Sequence, residues 1–354
     1  MNTKRYAVVY GRHKNITQAE LALVWAHDIV MHRERAHFLC TYPERLDQLA
    51  STIKWWIVVP KNELTKYIDP WHIVWVSDKT TGVWTKKILD IKRFKEVEPQ
   101  KTDKEIVAAQ QEIHHLQGDQ YVCIQGWQDI PRFTALDIEK PVRGMEVGMM
   151  PAKLTQMLIN IGVGQHAKHT SERTLEGKHD TPITIYDPFC GFGTTCYIAN
   201  SLWYKTIWSD ITITPAKENL KRWKTTERYQ ELPITLFKHD SQEVVQKPFI
   251  EQVDLIVTEW WLWPVMHRRL QKADIQQRAE SIITLWSNRL KASHQRIGNI
   301  PIVCSLPSYQ IDGRETYVPQ HIVHHAQSLW YTYTPVELYK RPRQLVARQI
   351  AMFA

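Results

Sequence analysis

Glycine is scarce in this chain of 354 residues. It occurs 13 times, where the usual share of about 7% would supply roughly 25. The five cysteines (Cys40, Cys123, Cys190, Cys196, Cys304) never fall in CxxC spacing, so neither a disulfide framework nor a zinc site is indicated. No apolar run approaches the ~18–20 residues that span a bilayer, and the opening "MNTKRYAVVYGRHK" has no signal-peptide core. A GxGxxG dinucleotide fingerprint is also missing. These absences lead to the expectation of a cytoplasmic protein with no membrane partner and no metal.

Several features are in excess. Tryptophan, ordinarily among the rarest residues, occurs 15 times, about matching the glycine deficit. The net charge is +8 and the pI about 9.1, with basic runs at "KRFK" (92–95) and "YKRPR" (339–343). Such an excess is the footprint of a polyanion binder, and also of an ordinary solvated surface. Sixteen histidines include the adjacent pairs His114-His115 and His324-His325. Neighbouring residues on a helix point in different directions, which favours solvated faces over metal ligation. An apolar share of 43% and a charged share of 23% suit a soluble globular chain with room for two domains.

From about 181 onward strands and helices alternate. "ITIYDPF" (183–189), "KTIWSDI" (205–211), "ITLFKHD" (234–240), "VDLIVTE" (253–259) and "IPIVCSL" (300–306) read as strands. "TTCYIANSL" (194–202), "TPAKENLKRWKTTERY" (214–229) and a stretch at about 274–292 read as helices. "TYTPVELYKR" and "QLVARQIAMF" read as a closing hairpin. The pattern predicts a mostly parallel α/β sheet with one reversed strand. In the first 135 residues, "YAVVYGR" (6–12) reads as a strand and "ITQAELALVWAHDI" (16–29) as a helix capped by Asn15 or Thr17. Short strands follow ("IVVP", "HIVWVS", "YVCIQG"), indicating an α+β accessory module. Between them, 136–180 reads as a connection holding a helix at 151–162 and a polar loop, "GQHAKHTSERTLEGKHD".

The most specific motif is "YDPFCGFGTT", Tyr186 to Thr195. A strand ends at Asp187, a Gly-x-Gly turn follows, and a helix begins at Thr194. Gly191 and Gly193 allow a close backbone approach to a ligand. Asp210 ends the next strand, where a carboxylate can accept from two ribose hydroxyls. Asp240 ends the third, placed for an adenine amine. Three acids at successive strand ends would line the crevice beyond the carboxyl edge of the sheet.

"DPFCGFGT" resembles the cofactor loop of S-adenosylmethionine-dependent methyltransferases that act on exocyclic amines of nucleobases. The DNA group with this loop places its (Asn/Asp/Ser)-Pro-Pro-Tyr motif before it. Here the counterpart "TEWWLWP" comes after, on the fourth strand, as in RNA guanine-N2 enzymes. "YAVVYGRHKNITQAEL", "RGMEVGMMPAKLTQMLINIG" and "LYKRPRQLVARQI" further resemble tRNA guanosine-N2 methyltransferases with an N-terminal THUMP module. The resemblance is specific over 140–354, looser at the extreme N-terminus, and weak over 50–130. It implies an α/β fold in which a Rossmann-like S-adenosylmethionine-dependent methyltransferase domain (181–354), seven-stranded with one reversed strand, follows a linker and first helix (136–180). Before these it implies an α+β ferredoxin-like plus THUMP-like RNA-binding module (1–135, divided near 55).

The resemblance also implies S-adenosylmethionine as cofactor, held by Asp187, Phe189, Cys190, Gly191, Gly193, Thr194, Asp210, Ile211, Asp240, Ser241 and Pro151. The implied partner is tRNA or another structured RNA, and a small activator protein stays open. Catalysis falls to Thr258, Glu259, Trp260 and Trp261. Either Thr258 or Glu259 aligns with the family's acid position, Glu259 being the favoured acceptor for the target amine, with Trp261 stacking on the flipped-out base. A DNA amino-methyltransferase and an RNA-binding relative without catalysis are the alternatives.

The tryptophans bear on that pocket. The family carries glycine where this chain has Trp203 and Trp208, and glycine or proline around an aromatic where it has Trp260 and Trp263. Trp330 repeats the helix–glycine–strand junction, and "KWWIVVP" reads naturally with a glycine before the strand. A gene in which UGA specifies glycine, translated as though UGA meant tryptophan, accounts for the deficit, the excess and the positions together. Trp223, Trp261 and Trp286 read as true tryptophans. Reading the fifteen tryptophan codons in the source DNA checks this: UGA is expected at Trp203, Trp208, Trp260, Trp263 and Trp330 and UGG at Trp223 and Trp261, whereas UGG throughout contradicts it.

Overall fold

The computed structural model describes residues 4–24, 26–31, 35–67, 71–77, 84–90, 95–97, 112–115, 120–144, 149–173, 182–226, 232–240, 251–259, 300–311, 314–315, 320–329, 331–340 and 346–354. The chain forms two compact units. One comprises Met1–Lys14, Val24–Asp47 and Thr52–Gln128, the other Asn15–Leu23, Gln48–Ser51 and Asp129–Ala354.

The first unit holds nine described strands: β1 (Arg5–Tyr10), β2 (His27–Met31), β3 (Arg35–Leu39), β4 (Thr52–Pro60), β5 (Trp71–Ser77), β6 (Trp84–Asp90), β7 (Lys95–Val97), β8 (Glu112–His115) and β9 (Gln120–Trp127). They form one sheet in the order β2-β3-β1-β4-β9-β8-β5-β6-β7, parallel at β5 and β8. His114 and His115 therefore lie in a strand and not in a helix. Trp55 and Trp56 stand within β4 and not before it. Trp56 is buried, and Trp55 lies opposite Gly126 across a bulge. A Cβ on Gly126 would come 2.1 Å from the Trp55 ring, so the glycine faces an indole that covers it.

In the second unit α1 (Lys14–Glu20) continues as a 3-10 turn, Leu21–Val24. The helix expected through residue 29 thus ends early, and residues 27–31 form β2. Glu20 explains the stop. Its buried carboxylate accepts from the amides of Ala50 and Ser51 (3.0 and 2.7 Å) and from Asn160 Nδ2 (2.6 Å), anchoring the helix end to distant segments. The helix at 152 is longer than its sequence suggested. After α2 (Ile130–Ile138), α3 spans Ala152–Arg173 and absorbs the start of the expected polar loop. Gly164 permits this, since a Cβ there would sit 2.6 Å from the Leu23 backbone nitrogen.

The nucleus of this unit is a seven-stranded sheet of β10 (Thr184–Asp187), β11 (Lys205–Asp210), β12 (Ile234–Lys238), β13 (Leu255–Glu259), β14 (Ile302–Ile311), β16 (Tyr333–Tyr339) and β17 (Val346–Phe353), with the short β15 (Arg314–Glu315) paired outside it. The order is β12-β11-β10-β13-β14-β17-β16. The first five strands are parallel neighbours, and β17 runs antiparallel to both β14 and β16. This is a Rossmann-like α/β sheet with one reversed strand, as the strand–helix alternation predicted. Side-chain alternation buries both faces. Tyr186, Ile207, Ile256 and Ile302 join one cluster, while Leu255 and Val303 meet α3 at Gly162. Two more helices, α4 (Thr194–Ser201) and α5 (Thr214–Trp223), cover the glycine-loop side, and α6 (Gln320–Ser328) follows later.

The structure separates the two tryptophans of the 203–208 stretch. Helix α4 ends in a Schellman arrangement, with the amide of Tyr204 on Ala199 O (3.1 Å) and that of Trp203 on Asn200 O (3.0 Å). Trp203 occupies the left-handed position, at φ +68, with 63% of its surface exposed. That conformation costs an L-residue roughly 1–2 kcal/mol, and the indole gains no burial in return. Trp208 was expected to crowd the cofactor or the sheet, but it is fully buried. Its ring packs toward Gly193, and its Nε1 donates to Thr206 Oγ1 at 2.7 Å. Trp203→Gly should therefore raise unfolding free energy by about 1 kcal/mol, and Trp208→Gly should lower it by about 3–5 kcal/mol through the cavity left behind. Urea titrations of both variants check this.

Candidate active site

Strand order reverses at β10. Strands β11 and β12 lie on one side of it, β13 and β14 on the other. The carboxyl ends of β10 and β13 therefore border the switch point, where open α/β sheets bind ligands. Asp187 ends β10 and Glu259 ends β13.

Asp187 is 1% exposed. Its Oδ1 accepts from Thr258 Oγ1 (2.7 Å) and the Phe189 amide (3.0 Å), and Thr195 contributes a further hydroxyl bond. Burial pushes its pKa up, to about 6, against the pull of those donors. This carboxylate ties the glycine loop to β13. After it the chain turns through Gly191 (φ +49) and Gly193 (φ +78). A Cβ on Gly191 would meet nothing closer than 3.9 Å, whereas one on Gly193 would lie 2.9 Å from the Trp208 ring. Gly191 is thus required by its backbone conformation, and Gly193 by conformation and packing together. Cys190 is buried, and its amide donates to Ser209 O at 3.0 Å.

Asp210 braces the same loop. Its Oδ2 accepts from the Gly191 amide (2.9 Å) and its Oδ1 from the Thr212 amide (3.0 Å). The carboxylate is half-buried, leaving acceptor capacity for a diol. Beside it Ile211 is 59% exposed, an apolar surface against which an adenine could stack. Asp240 is exposed beyond β12. A left-handed glycine turn, a half-exposed carboxylate and an uncovered apolar side chain fit an adenosine-bearing cofactor. Phe189 packs on the core cluster, and Pro151 is buried at the start of α3. Ser241, Trp260 and Trp261 lie outside the described residues, as do Trp263 and Trp330.

Glu259 is held by a group the sequence did not flag. Arg348 Nε on β17 donates to its Oε1 at 2.7 Å, with both side chains largely buried. The Met150 amide also bonds this carboxylate. Burial raises the Glu259 pKa, to about 7, while Arg348 pulls it down. Thr258, one residue earlier, is committed to Asp187, so Glu259, paired to Arg348 through one oxygen, is the acceptor candidate of the two. An arginine inside an apolar closing strand was the available signal, because a charge buried there requires a partner. Lys140 was also overlooked: it is 5% exposed, and its Nζ donates to Thr194 Oγ1 at 2.9 Å. Among the described residues no group of three or more His, Cys, Asp or Glu could hold a metal ion, and no helix is long and apolar enough to cross a membrane.

No family model matches this chain, and no curated protein matches it. Among solved structures it is similar to TrmN from Thermus thermophilus (11% identity, 99% of each chain, TM-score 0.46). It is also similar to a possible methylase from Clostridium difficile 630 (11% identity, 99% of this chain and 98% of that one, TM-score 0.40). A third is the magnesium protoporphyrin IX methyltransferase ChlM from Synechocystis PCC 6803 with bound SAM (12% identity, 63% of this chain and 95% of that one, TM-score 0.35).

Two acids with raised native pKa values make stability depend on pH in a definite direction. The folded state binds more protons than the unfolded one between the ordinary carboxylate range and about pH 7. Stability should therefore fall as pH rises through that window. Arg348→Leu leaves Glu259 buried without its counter-ion and should cost about 3–5 kcal/mol at pH 8, and distinctly less at pH 5, where the carboxyl can protonate. Denaturant melts at the two pH values check both statements.

Proposed function

We propose that this chain is an S-adenosylmethionine-dependent RNA methyltransferase acting on the exocyclic N2 of a guanosine in tRNA. The observation that carries the proposal is the set gathered at one switch point. It comprises a left-handed glycine turn, the half-exposed Asp210 beside Ile211, and the Glu259 carboxylate at the end of β13. The first unit, with its broad β-sheet, is the RNA-binding module of this proposal, and the +8 charge suits a polyanionic substrate. The cytoplasm is the expected compartment.

In this scheme Asp210 would hold the ribose diol, Ile211 would face the adenine, Asp240 and Ser241 would receive its amine, and the Gly191–Gly193 turn would let the backbone approach. The bound cofactor supplies an electrophilic methyl on a sulfonium. The guanine amine is a poor nucleophile because its lone pair is conjugated with the ring. Glu259, with a backbone carbonyl among residues 259–261, would accept its N–H bonds and draw the lone pair out of conjugation. With the cofactor bound, that methyl would pass to the amine nitrogen that Glu259 holds toward it. The proton lost from nitrogen leaves through Glu259 to solvent. Trp261 stacks on the extruded base, and in-line positioning supplies much of the rate. Arg348 favours the ionised form of Glu259 and aims it.

The test is transfer of labelled methyl to unmodified tRNA, with digestion to nucleosides. Label in N2-methylguanosine is expected, with a rate that rises as pH passes about 7 and Glu259 ionises. Glu259→Gln should lower turnover by about 10²–10⁴-fold with cofactor affinity kept. Label in duplex DNA instead would favour a DNA amino-methyltransferase, and tRNA binding without cofactor binding would mark a relative without catalysis.

A further inference from the structure

We infer that Arg348 determines base specificity at this site: beside the Glu259 carboxylate, it donates to O6 of the target guanine. This rests on the proposed reaction and deepens it, because it concerns the edge by which the base is chosen. Glu259 ends β13 in register with Ser305 of β14, and Ser305 lies opposite Ile350 of β17. Arg348 stands two residues from Ile350, so it shares a sheet face with Glu259 and Ser305. Strands β14 and β17 stay paired as far as Tyr309 and Val346, which carries them about 13 Å past the level of Glu259. Arg348 is therefore on a ribbon that projects beyond the end of β13, and its side chain returns to Glu259.

The bond between them uses one arm of the guanidinium fork. Arg348 Nε donates to Glu259 Oε1 at 2.7 Å, and among the described residues the guanidinium makes no other hydrogen bond or ion pair. An arginine that meets an acceptor through Nε carries a second N–H, on Nη, directed the same way. The two side chains are 4% and 14% exposed, so little water serves the donors left over. Ser305, on the strand between them, is fully buried, and its Oγ has no partner among the described residues. This part of the face is polar without being closed on itself.

Guanine presents two donors in succession along its pairing edge, N2–H and N1–H, and then one acceptor, O6. The protein offers the complement in the same order, two carboxylate oxygens and then an N–H of the adjoining arginine. A carboxylate that accepts from N2 and N1 together brings O6 opposite the arm parallel to the one already on Oε1. Adenine instead sets an unprotonated N1 against Glu259 and an amine against Arg348. Both meetings are repulsive, and a site short of water gives neither side a substitute partner. Glu259 alone accepts from either base's amine, so the choice between them falls to Arg348.

Methyl transfer to RNA carrying 6-thioguanosine at the methylated position, mapped beforehand with ordinary guanosine, tests the contact. Sulfur is a poor acceptor in place of O6, while N1–H and N2–H are kept. The wild-type chain should prefer the oxygen form about 10- to 100-fold in kcat/KM, the range for one hydrogen bond to a charged group. Arg348→Lys keeps a counter-charge for Glu259 but loses the parallel donor, so it should methylate both RNAs with a preference of about threefold or less. Arg348→Met should show the same lost preference at lower rates, and Arg348→Lys decides if that variant does not fold. Replacing a residue that only aims Glu259 lowers both rates by the same factor and leaves the preference intact. A preference retained in Arg348→Lys, or none in the wild type, would therefore overturn the inference and leave the proposed reaction standing. A wild-type chain that methylates no guanosine N2 would overturn both.

Discussion

The buried carboxylate of Asp187 is the contact on which the rest of the site depends. It ends β10, fixes the turn through the Phe189 amide and crosses to β13 through Thr258. One side chain thus locks the glycine loop and the Glu259 strand into a single geometry. Asp210 does the complementary work from β11 by accepting the Gly191 amide. Both acids shape the loop from inside, and Asp210 alone of the two keeps an exposed edge for a ligand.

The parts of this arrangement made by neighbours in sequence were legible. The strand–turn–helix at 184–201, the reversed closing strand and the acids at strand ends follow from local patterns that the sheet respects. What escaped reading was made by residues far apart in the chain. Arg348 meets Glu259 across 89 positions, and Lys140 meets Thr194 across 54. The early end of α1 has the same origin, because Glu20 answers to Ala50, Ser51 and Asn160. Periodicity records which face is apolar, but it does not record which distant donor a buried charge will find.

The tryptophans illustrate the same division. Trp203 violates a local rule, since a left-handed helix cap calls for glycine whatever surrounds it, and the structure puts φ at +68 there. Trp208 looked anomalous only locally. In the fold its indole fills the space beneath Gly193 and closes on Thr206. Local geometry therefore supports glycine at 203, while core packing supports tryptophan at 208. Recoding of UGA as glycine is a proposal that the structure favours at the first position and not at the second.

The central claim is that the switch point between β10 and β13 holds S-adenosylmethionine. A crystal structure of the chain with S-adenosylhomocysteine tests it most directly. The account predicts ribose hydroxyls on Asp210, adenine against Ile211 and the sulfur facing Glu259. Density for the ligand at another place in the fold, or an empty crevice at saturating ligand concentration, would contradict it.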